Sequence, residues 1–186
     1  KFENAPYLKG WASVAGKKEG EGPLGKLFDK ISADPCFGME TWEKAETAMQ
    51  KLALSSALDK AGLSASALDY ILAGDLLNQC IGSGFAVRGQ DVPFFGLYGA
   101  CSTMAESLSL AALLLDGGFA THAAAMTSSH FCSAERQYRT PLEYGGQRTP
   151  TAQWTVTGAG AVVLSGRGSV QVPAVTFGRV RDLEVK

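Results

Sequence analysis

The sequence predicts an α/β fold built around a mostly parallel sheet. Helical and strand patterns alternate along the 186 residues, in the order helix, strand, helix, strand, helix, strand, loop, strand, strand. Alternation of this kind is typical of sheets whose strands are joined by crossover helices. Glycine is frequent, with 22 residues and no Gly-X-Y period. This pattern excludes a collagen-like chain and favours tight turns before packed helices.

The clearest helix is predicted over residues 41–61. Thr41 suits the N-cap position, and Gly62 suits the end of the helix. The segment before it, residues 1–39, is predicted to be loop-rich, with a short strand near residues 11–15. Within the helix, apolar side chains recur at spacings of three and four, as one face of a 3.6-residue period requires: Trp42, Ala45, Met49 and Leu52.

Three shorter elements follow this helix. Residues 69–74 form an apolar run that is typical of a buried strand. Residues 76–89 have a mixed pattern and are predicted as a short helix that ends at a glycine. Residues 92–98 are apolar and aromatic, and we expect a short strand there.

A second helix is predicted to begin within a residue or two of Cys101. Thr103 and Glu106 have the spacing of a capping box, in which two side chains satisfy the unpaired amides of the first turn. The apolar pattern continues from there to the glycines at 117–118, where we expect the helix to end. Residues 122–128 follow as a strand of small residues.

The last third of the chain is predicted as a long polar loop followed by two strands. The loop spans residues 130–152, and a loop of this length is usually either functional or an insertion. The strands are expected at 158–164 and 169–180. Three arginines lie in the loop: Arg136, Arg139 and Arg148.

Composition excludes several classes of function. The formal net charge is −1, with 17 basic and 18 acidic residues and no basic cluster, so we expect no nucleic-acid binding. Hydrophobic residues make up 46% and charged residues 19%, which is unlike a disordered chain. The most apolar run, residues 108–115, is far shorter than the roughly 20 residues of a membrane span. We therefore expect at most a peripheral association with a membrane.

Four cysteines, at positions 36, 80, 101 and 132, predict an intracellular, reduced protein. Their spacing matches no zinc motif, and they are too sparse for a disulfide scaffold. For each of them the alternative to a functional role is a small buried hydrophobic side chain. No metal site is predicted.

Cys101 stands where a strand is predicted to meet a helix. The unpaired amides and the positive end of the helix dipole favour a thiolate at this point, which suits a nucleophile. The same amides suit the binding of a carboxylate, to which Ser102 would be adjacent. An ordinary helix start with a buried cysteine would give the same local pattern.

Three further residues are candidates for a pocket beside Cys101. Asp75 and His130 each follow a predicted strand, and ligands of open α/β sheets bind at strand ends. For Asp75 the alternative is a helix cap, and for His130 a structural role. Arg136 could hold a carboxylate with two hydrogen bonds, and the alternative is a solvated basic loop.

These residues carry a resemblance to the thiolase superfamily, which includes the β-ketoacyl synthases. Residues 99–103 (Gly-Ala-Cys-Ser-Thr) and 116–120 (Asp-Gly-Gly-Phe-Ala) resemble its nucleophile region. Residues 158–164 are similar to its late glycine-rich strand. More narrowly, residues 38–46 and the stretch from Thr127 to Gly158 resemble the stage V sporulation AD family of spore-forming bacteria.

The resemblance implies a sporulation protein rather than an enzyme. It implies a component of a channel complex that moves dipicolinic acid (pyridine-2,6-dicarboxylic acid) into the developing spore. The ligand would be dipicolinic acid alone or with calcium. The protein would lie at the spore inner membrane through partner proteins of the complex. A homodimer formed along residues 92–98 is the default of the superfamily.

The resemblance also implies that residues 1–186 form the N-terminal half of a duplicated, layered fold. In the related enzymes a second half supplies the catalytic bases, and this chain stops after about one half. Cys101 therefore corresponds to the nucleophile, while His130 does not correspond to a catalytic histidine. We expect Cys101, Ser102, Asp75, His130 and Arg136 to bind the ligand. The alternatives are an acyltransferase that uses Cys101, and a structural partner without a ligand.

Overall fold

The computed structural model describes residues 1–138 and 154–184, apart from the side chains of residues 136–138. Within these ranges lie seven strands: β1 Tyr7–Gly16, β2 Lys30–Ser32, β3 Tyr70–Gly74, β4 Phe94–Gly96, β5 His122–Ser129, β6 Gly158–Ser165 and β7 Val170–Gln171. Five α-helices accompany them: α1 Lys17–Gly20, α2 Trp42–Ala61, α3 Ile81–Val87, α4 Thr103–Asp116 and α5 Phe131–Tyr138.

The strands form one mixed sheet in the order β2-β1-β6-β5-β3-β4, and β7 pairs with the start of β1. β3 runs parallel to β4 and β5, and β1 runs parallel to β2. β6 is antiparallel to both of its neighbours, β1 and β5. Most strands thus point the same way, which confirms the predicted α/β class with its mostly parallel sheet.

Helix α2 covers one face of the sheet and begins and ends as predicted. The Thr41 side chain accepts a hydrogen bond from the amide of Lys44, and Gly62 adopts a left-handed φ of 67°. The helix packs closely on β1 at Gly10, where an added Cβ would lie 2.4 Å from the Ala57 carbonyl oxygen. Met49 and Leu54 of α2 are buried in the core on this face.

Helix α4 covers the opposite face. Ala111, Ala112 and Leu115 pack against Leu72 of β3 and Leu164 of β6, and all five are buried. The small residues on α4 and β5 let the helix approach the sheet closely. Of the described helices, none is long and apolar enough to span a membrane.

Two predicted element boundaries are wrong. The last strand covers only residues 170–171, not 169–180, because the Val172 amide donates to the Pro6 carbonyl oxygen at 2.8 Å and Pro6 has no amide hydrogen with which to return the bond. The predicted loop 130–152 begins instead with helix α5, whose first amide binds Thr157 Oγ1 at 3.0 Å. Thr157 lies 26 residues from this amide in the sequence, so the start of helix α5 could not be predicted from the residues around it. Residues 139–153 lie outside the described ranges.

The predicted capping box at Thr103 is also wrong. Helix α4 begins at Thr103 itself, and its N-cap Ser102 makes no side-chain capping bond. The Thr103 hydroxyl instead accepts a hydrogen bond from the amide of Gly99 at 3.1 Å, across the turn that precedes the helix. The remaining predicted elements lie within a few residues of the observed ones, and α1 and β2 were not predicted.

The direction of the strands decides which residues meet. The carboxyl ends of β1, β3, β4 and β5 lie at one edge of the sheet, together with the amino end of the antiparallel β6. The turn with Cys101 follows β4, and Asp75 and His130 follow β3 and β5 directly. The predicted site residues whose placement is described therefore share one edge of the sheet.

Candidate functional site

A cavity of about 850 Å³ opens at this edge of the sheet. We call it the Cys101 cavity, because Cys101 lies in its wall. Met104, Leu76 and Val156 contribute apolar surface, and Ser128 and Ser129 line the cavity from the end of β5. The other described residues that line it are Ser13, Val14, Ala15, Glu19, Phe28, Ala100, Thr127, Ala134, Glu135, Trp154, Thr155, Gly158, Ala159 and Gly160.

Cys101 is held by a tight turn between β4 and α4. Ala100 adopts a φ of 47°, in the left-handed region that residues other than glycine rarely occupy. A short 3₁₀ turn over Ala100–Ser102 then leads into α4. This geometry leaves the Cys101 side chain exposed in the cavity wall. Strained backbone of this kind is common where a side chain must be presented to a ligand.

Ser102 is exposed, and its hydroxyl takes part in the same turn. Ser102 Oγ donates to the Gly99 carbonyl oxygen at 2.7 Å, and the Ser102 amide donates to the same oxygen at 2.9 Å. The side chain thus stabilises the turn that presents Cys101. Ser102 is not among the described residues that line the cavity.

Asp75 lies behind the cavity rather than in its described wall. Its side chain is buried, and one carboxylate oxygen accepts hydrogen bonds from the Ser83 amide at 2.7 Å and the Ser83 hydroxyl at 2.6 Å. The other oxygen accepts from the Leu77 amide at 2.9 Å. Asp75 therefore binds an amide in the first turn of α3, which is the capping role given above as the alternative to ligand binding. It does so from outside the helix, because the N-cap residue of α3 is Cys80.

His130 is also buried and has a partner on each ring nitrogen. Nε2 lies 2.7 Å from the Pro35 carbonyl oxygen, which can only accept, and Nδ1 accepts from the Cys132 amide at 3.2 Å. These partners select the neutral ring with its proton on Nε2. His130 lines a second cavity of about 480 Å³. That cavity shares the wall residues Glu19, Trp154 and Thr155 with the Cys101 cavity.

The described charges of the site lie in the shared wall and beside it. Glu19 Oε1 accepts from the Thr157 amide, and Glu135 Oε1 accepts from the Thr155 hydroxyl, each at 3.1 Å. The ammonium group of Lys18 lies 3.5 Å from the centre of the Trp154 ring. The side chain of Arg136 falls outside the described residues. Within the described ranges, no three metal-ligating side chains come together.

A buried polar network behind the cavity was missed by the sequence analysis. Glu46 on α2 is fully buried; its two oxygens accept from the Ser128 hydroxyl at 2.9 Å and the Ser133 hydroxyl at 2.8 Å. Gln50 Nε2 donates to the hydroxyls of Ser128 at 3.1 Å and Ser83 at 3.0 Å. Glu46 and Gln50 lie one turn apart on the buried stripe of α2. Two polar residues at that spacing on an apolar face are the signal that could have found them.

The Glu46 carboxyl binds its proton more tightly than a free glutamate side chain does. Burial raises its pKa from 4.5 to about 7, and the negative charges of Asp75 and Glu43 act in the same direction. The hydrogen bonds from Ser133 and Ser128 oppose the increase. The carboxyl therefore changes its charge close to neutral pH.

The sequence matches a family model over its whole length. Residues 1–186 match the model described as stage V sporulation protein AD. The chain belongs to the stage V sporulation protein AD family. Its similarity to the stage V sporulation protein AD of Bacillus subtilis (strain 168) is 45% identity over 185 residues. That alignment covers 99% of this chain and 55% of the relative, so the chain spans about half the length of the curated family member.

Solved structures show the fold that this family member adopts. The chain superimposes on the priming β-ketosynthase of the R1128 polyketide pathway with a TM-score of 0.57 and 19% identity, over 86% of this chain and 49% of the other. For 3-oxoacyl-[acyl-carrier-protein] synthase III from Aquifex aeolicus VF5 the TM-score is 0.55 at 21% identity, over 86% and 53%. The fold is therefore thiolase-like, as predicted, and the chain again spans about half of each related structure.

Proposed function

We propose that this chain is the part of a sporulation protein that binds dipicolinic acid, alone or with calcium, without catalysing a reaction. The protein would take part in the uptake of dipicolinic acid into the developing spore, with partner proteins of a channel complex at the inner membrane. Membership of the stage V sporulation protein AD family supports the role in sporulation. The Cys101 cavity is the observation that carries the choice of a ligand site.

The shape and chemistry of the cavity suit a small aromatic dicarboxylate. Leu76, Met104 and Trp154 offer apolar and aromatic surface to the faces of a pyridine ring. The Ser128 and Ser129 side chains and the turn at Cys101 offer polar groups to its edge. We keep Cys101, Ser102, Asp75, His130 and Arg136 as the proposed ligand-binding set, in which the buried Asp75 and His130 would act by holding the wall.

The charges of the cavity favour a ligand that brings a cation. Glu19 and Glu135 are the charged side chains among its described lining residues. Two carboxylates repel a free dianion, whereas a calcium chelate of dipicolinate carries no net charge and exposes the metal to them. Lys18, stacked on Trp154, would favour the free dianion at the same wall. We expect both forms to bind, with the calcium chelate the tighter.

Filling the cavity should abolish this binding. The variant Cys101→Trp places an indole where the ligand would lie, and calorimetric titration of the full-length protein should show at least a 100-fold loss of affinity for dipicolinate. Phe119→Trp is the matched control, because Phe119 is 71% exposed just beyond the end of α4, away from the cavity lining. Unchanged affinity in Cys101→Trp would disprove the proposed location. No binding by the wild-type protein would favour a structural partner without a ligand.

An acyltransferase is the second candidate, because Cys101 is exposed in the cavity wall, in the turn that leads into α4. In that reaction the Cys101 thiolate would attack the thioester of an acyl-coenzyme A, form a new thioester and release coenzyme A. Intact-mass measurement of the full-length protein with several acyl donors tests this. A mass increase equal to the acyl group, absent from Cys101→Ala, would favour the enzyme over the binding protein.

We also propose a homodimer formed along β4. This strand lies at the edge of the sheet, and Phe95 and Tyr98 are 47% and 51% exposed there. An unpaired edge with aromatic side chains can pair with a second copy. Sedimentation equilibrium of the full-length protein would show a dimer, and a monomer at micromolar concentration would contradict this proposal.

A further inference from the structure

The wall of the Cys101 cavity is connected to a buried carboxyl through hydroxyl groups whose hydrogen-bond directions are fixed. Gln50 Nε2 is a donor, so Ser128 and Ser83 must accept from it. Each serine then has one proton left, and each directs it to a carboxylate: Ser128 to Glu46 at 2.9 Å and Ser83 to Asp75 at 2.6 Å. With Glu46 ionised, the Ser128 proton is therefore committed to Glu46. A protonated Glu46 can instead donate to Ser128, which frees the Ser128 proton for a carboxylate in the cavity.

Glu46 binds two separate parts of the cavity wall. The first is Ser128, which lines the cavity at the end of β5. The second is helix α5: Glu46 binds Ser133, and the next two residues of the helix, Ala134 and Glu135, line the cavity. Glu46 itself does not line the cavity and is fully buried. It can therefore affect a ligand only through the two serines and through its charge.

We propose that Glu46 is a positioning residue whose protonation is coupled to occupancy of the Cys101 cavity, so that an anionic ligand binds together with a proton. The proposal rests on the proposed function. A carboxylate ligand beside Ser128 would lie about two hydrogen-bond lengths from Glu46. In a buried setting, a negative charge at that range raises the proton affinity of a carboxyl by roughly tenfold.

The charged groups around Glu46 are consistent with this coupling. Among the described residues, Asp75 faces it from the end of β3 and Glu43 from its own helix, and both disfavour its ionised form. The segment of Ser133 also carries His130, Cys132 and Glu135, followed by Arg136 and Tyr138 at the end of α5. The titratable groups of β1 and β5, which are Tyr7, Lys9 and His122, lie at the opposite ends of those strands, and α3 and β6 have none.

The test is the pH dependence of affinity in the full-length protein. Sodium dipicolinate in calcium-free buffer is the probe, since both of its carboxyl groups are ionised between pH 6 and 8. The Glu46 carboxyl has a pKa of about 7 in the free protein, and the ligand raises its proton affinity about tenfold. Dipicolinate should therefore bind about fivefold more tightly at pH 6 than at pH 8. Calorimetry in buffers of different ionisation enthalpy should then show uptake of about 0.4 proton at pH 7.

Three variants make the test specific. Glu46→Gln keeps the size of the side chain and, like the protonated carboxyl, has one acceptor and one donor but no charge that titrates, so it should bind with the same affinity at both pH values. Glu43→Gln removes the same charge one turn earlier on α2 and should retain the dependence. Ser133→Ala removes a hydrogen bond that favours the ionised form, so the pH-dependent range should move to higher pH. This last variant keeps the test decisive if Glu46→Gln does not fold.

Equal pH dependence in the wild-type protein and Glu46→Gln would overturn the coupling and leave the proposed function intact. An unshifted profile in Ser133→Ala would do the same. If the wild-type protein binds only the calcium chelate, the coupling fails while the binding function stands. Absence of binding with either probe would overturn both.

Discussion

At the scale of single residues, the sequence predicted positions better than roles. Cys101 was correctly predicted to lie at the junction of a strand and a helix, because the glycine before it and the helical pattern after it are local signals. Asp75 and His130 were placed correctly at strand ends, but the structure shows both buried with partners. Glu46 was missed altogether. Its spacing from Gln50 on the buried stripe of α2 is a local signal, but its partners Ser128 and Ser133 lie more than 80 residues away, and no local pattern indicates them.

The buried Glu46 carboxyl should make stability depend on pH. Its pKa is about 7 in the folded protein against 4.5 for the free side chain, so the folded state binds the proton more tightly. Stability is therefore highest with Glu46 protonated, falls as the pH rises from about 4.5 to about 7, and levels off above. The expected loss is on the order of 3 kcal/mol.

Urea unfolding of the full-length protein between pH 5 and pH 8 measures this loss. Glu46→Gln should remove most of the decline, while Glu43→Gln should retain it. Parallel profiles for the wild-type protein and Glu46→Gln would show that the carboxyl is not buried as described.

At the scale of elements, local signals determined some boundaries and distant contacts determined others. The ends of helix α2 match their prediction because its caps lie within the segment itself. Its predicted apolar face is only partly correct, because Ala45 and Met49 are buried whereas Trp42 and Leu52 are exposed. Helix α5 was predicted as loop because Thr157, 26 residues away, binds its first amide. The final strand was overestimated because β1 pairs with only two of its residues. The position of β6 between β1 and β5 likewise follows from the whole sheet and not from any one segment.

The close contact between α2 and β1 gives a prediction at this scale. A methyl group at Gly10 would lie 2.4 Å from the Ala57 carbonyl oxygen and 2.7 Å from the Ala61 amide nitrogen, so helix and strand must separate. We expect Gly10→Ala to lower the free energy of unfolding by roughly 2–4 kcal/mol.

Gly160→Ala is the matched control, because Gly160 lies in the neighbouring strand β6 with no atom within 4 Å of an added Cβ. It should change stability by less than about 1 kcal/mol. Chemical denaturation of the full-length protein compares the two variants. Equal stability of both would contradict the close packing of α2 on β1.

At the scale of the whole molecule, the fold brings the functional residues to one place. Five strands meet at the cavity edge, and helices α2 and α4 cover opposite faces of the sheet. The class of fold could be predicted from alternating patterns. The cavity could not, because its wall joins residues from position 13 to position 160. The chain spans 55% of its curated relative, and its described surface exposes large hydrophobic side chains such as Trp11, Leu27 and Phe119.

A crystal structure of the full-length protein with calcium and dipicolinate tests the central claim most directly. The account predicts one ligand in the Cys101 cavity, with its ring near Met104 and Trp154 and a carboxylate near Ser128. The calcium ion should face Glu19 or Glu135. A cavity without ligand at saturating concentration, or a ligand bound elsewhere on the protein, would contradict the account.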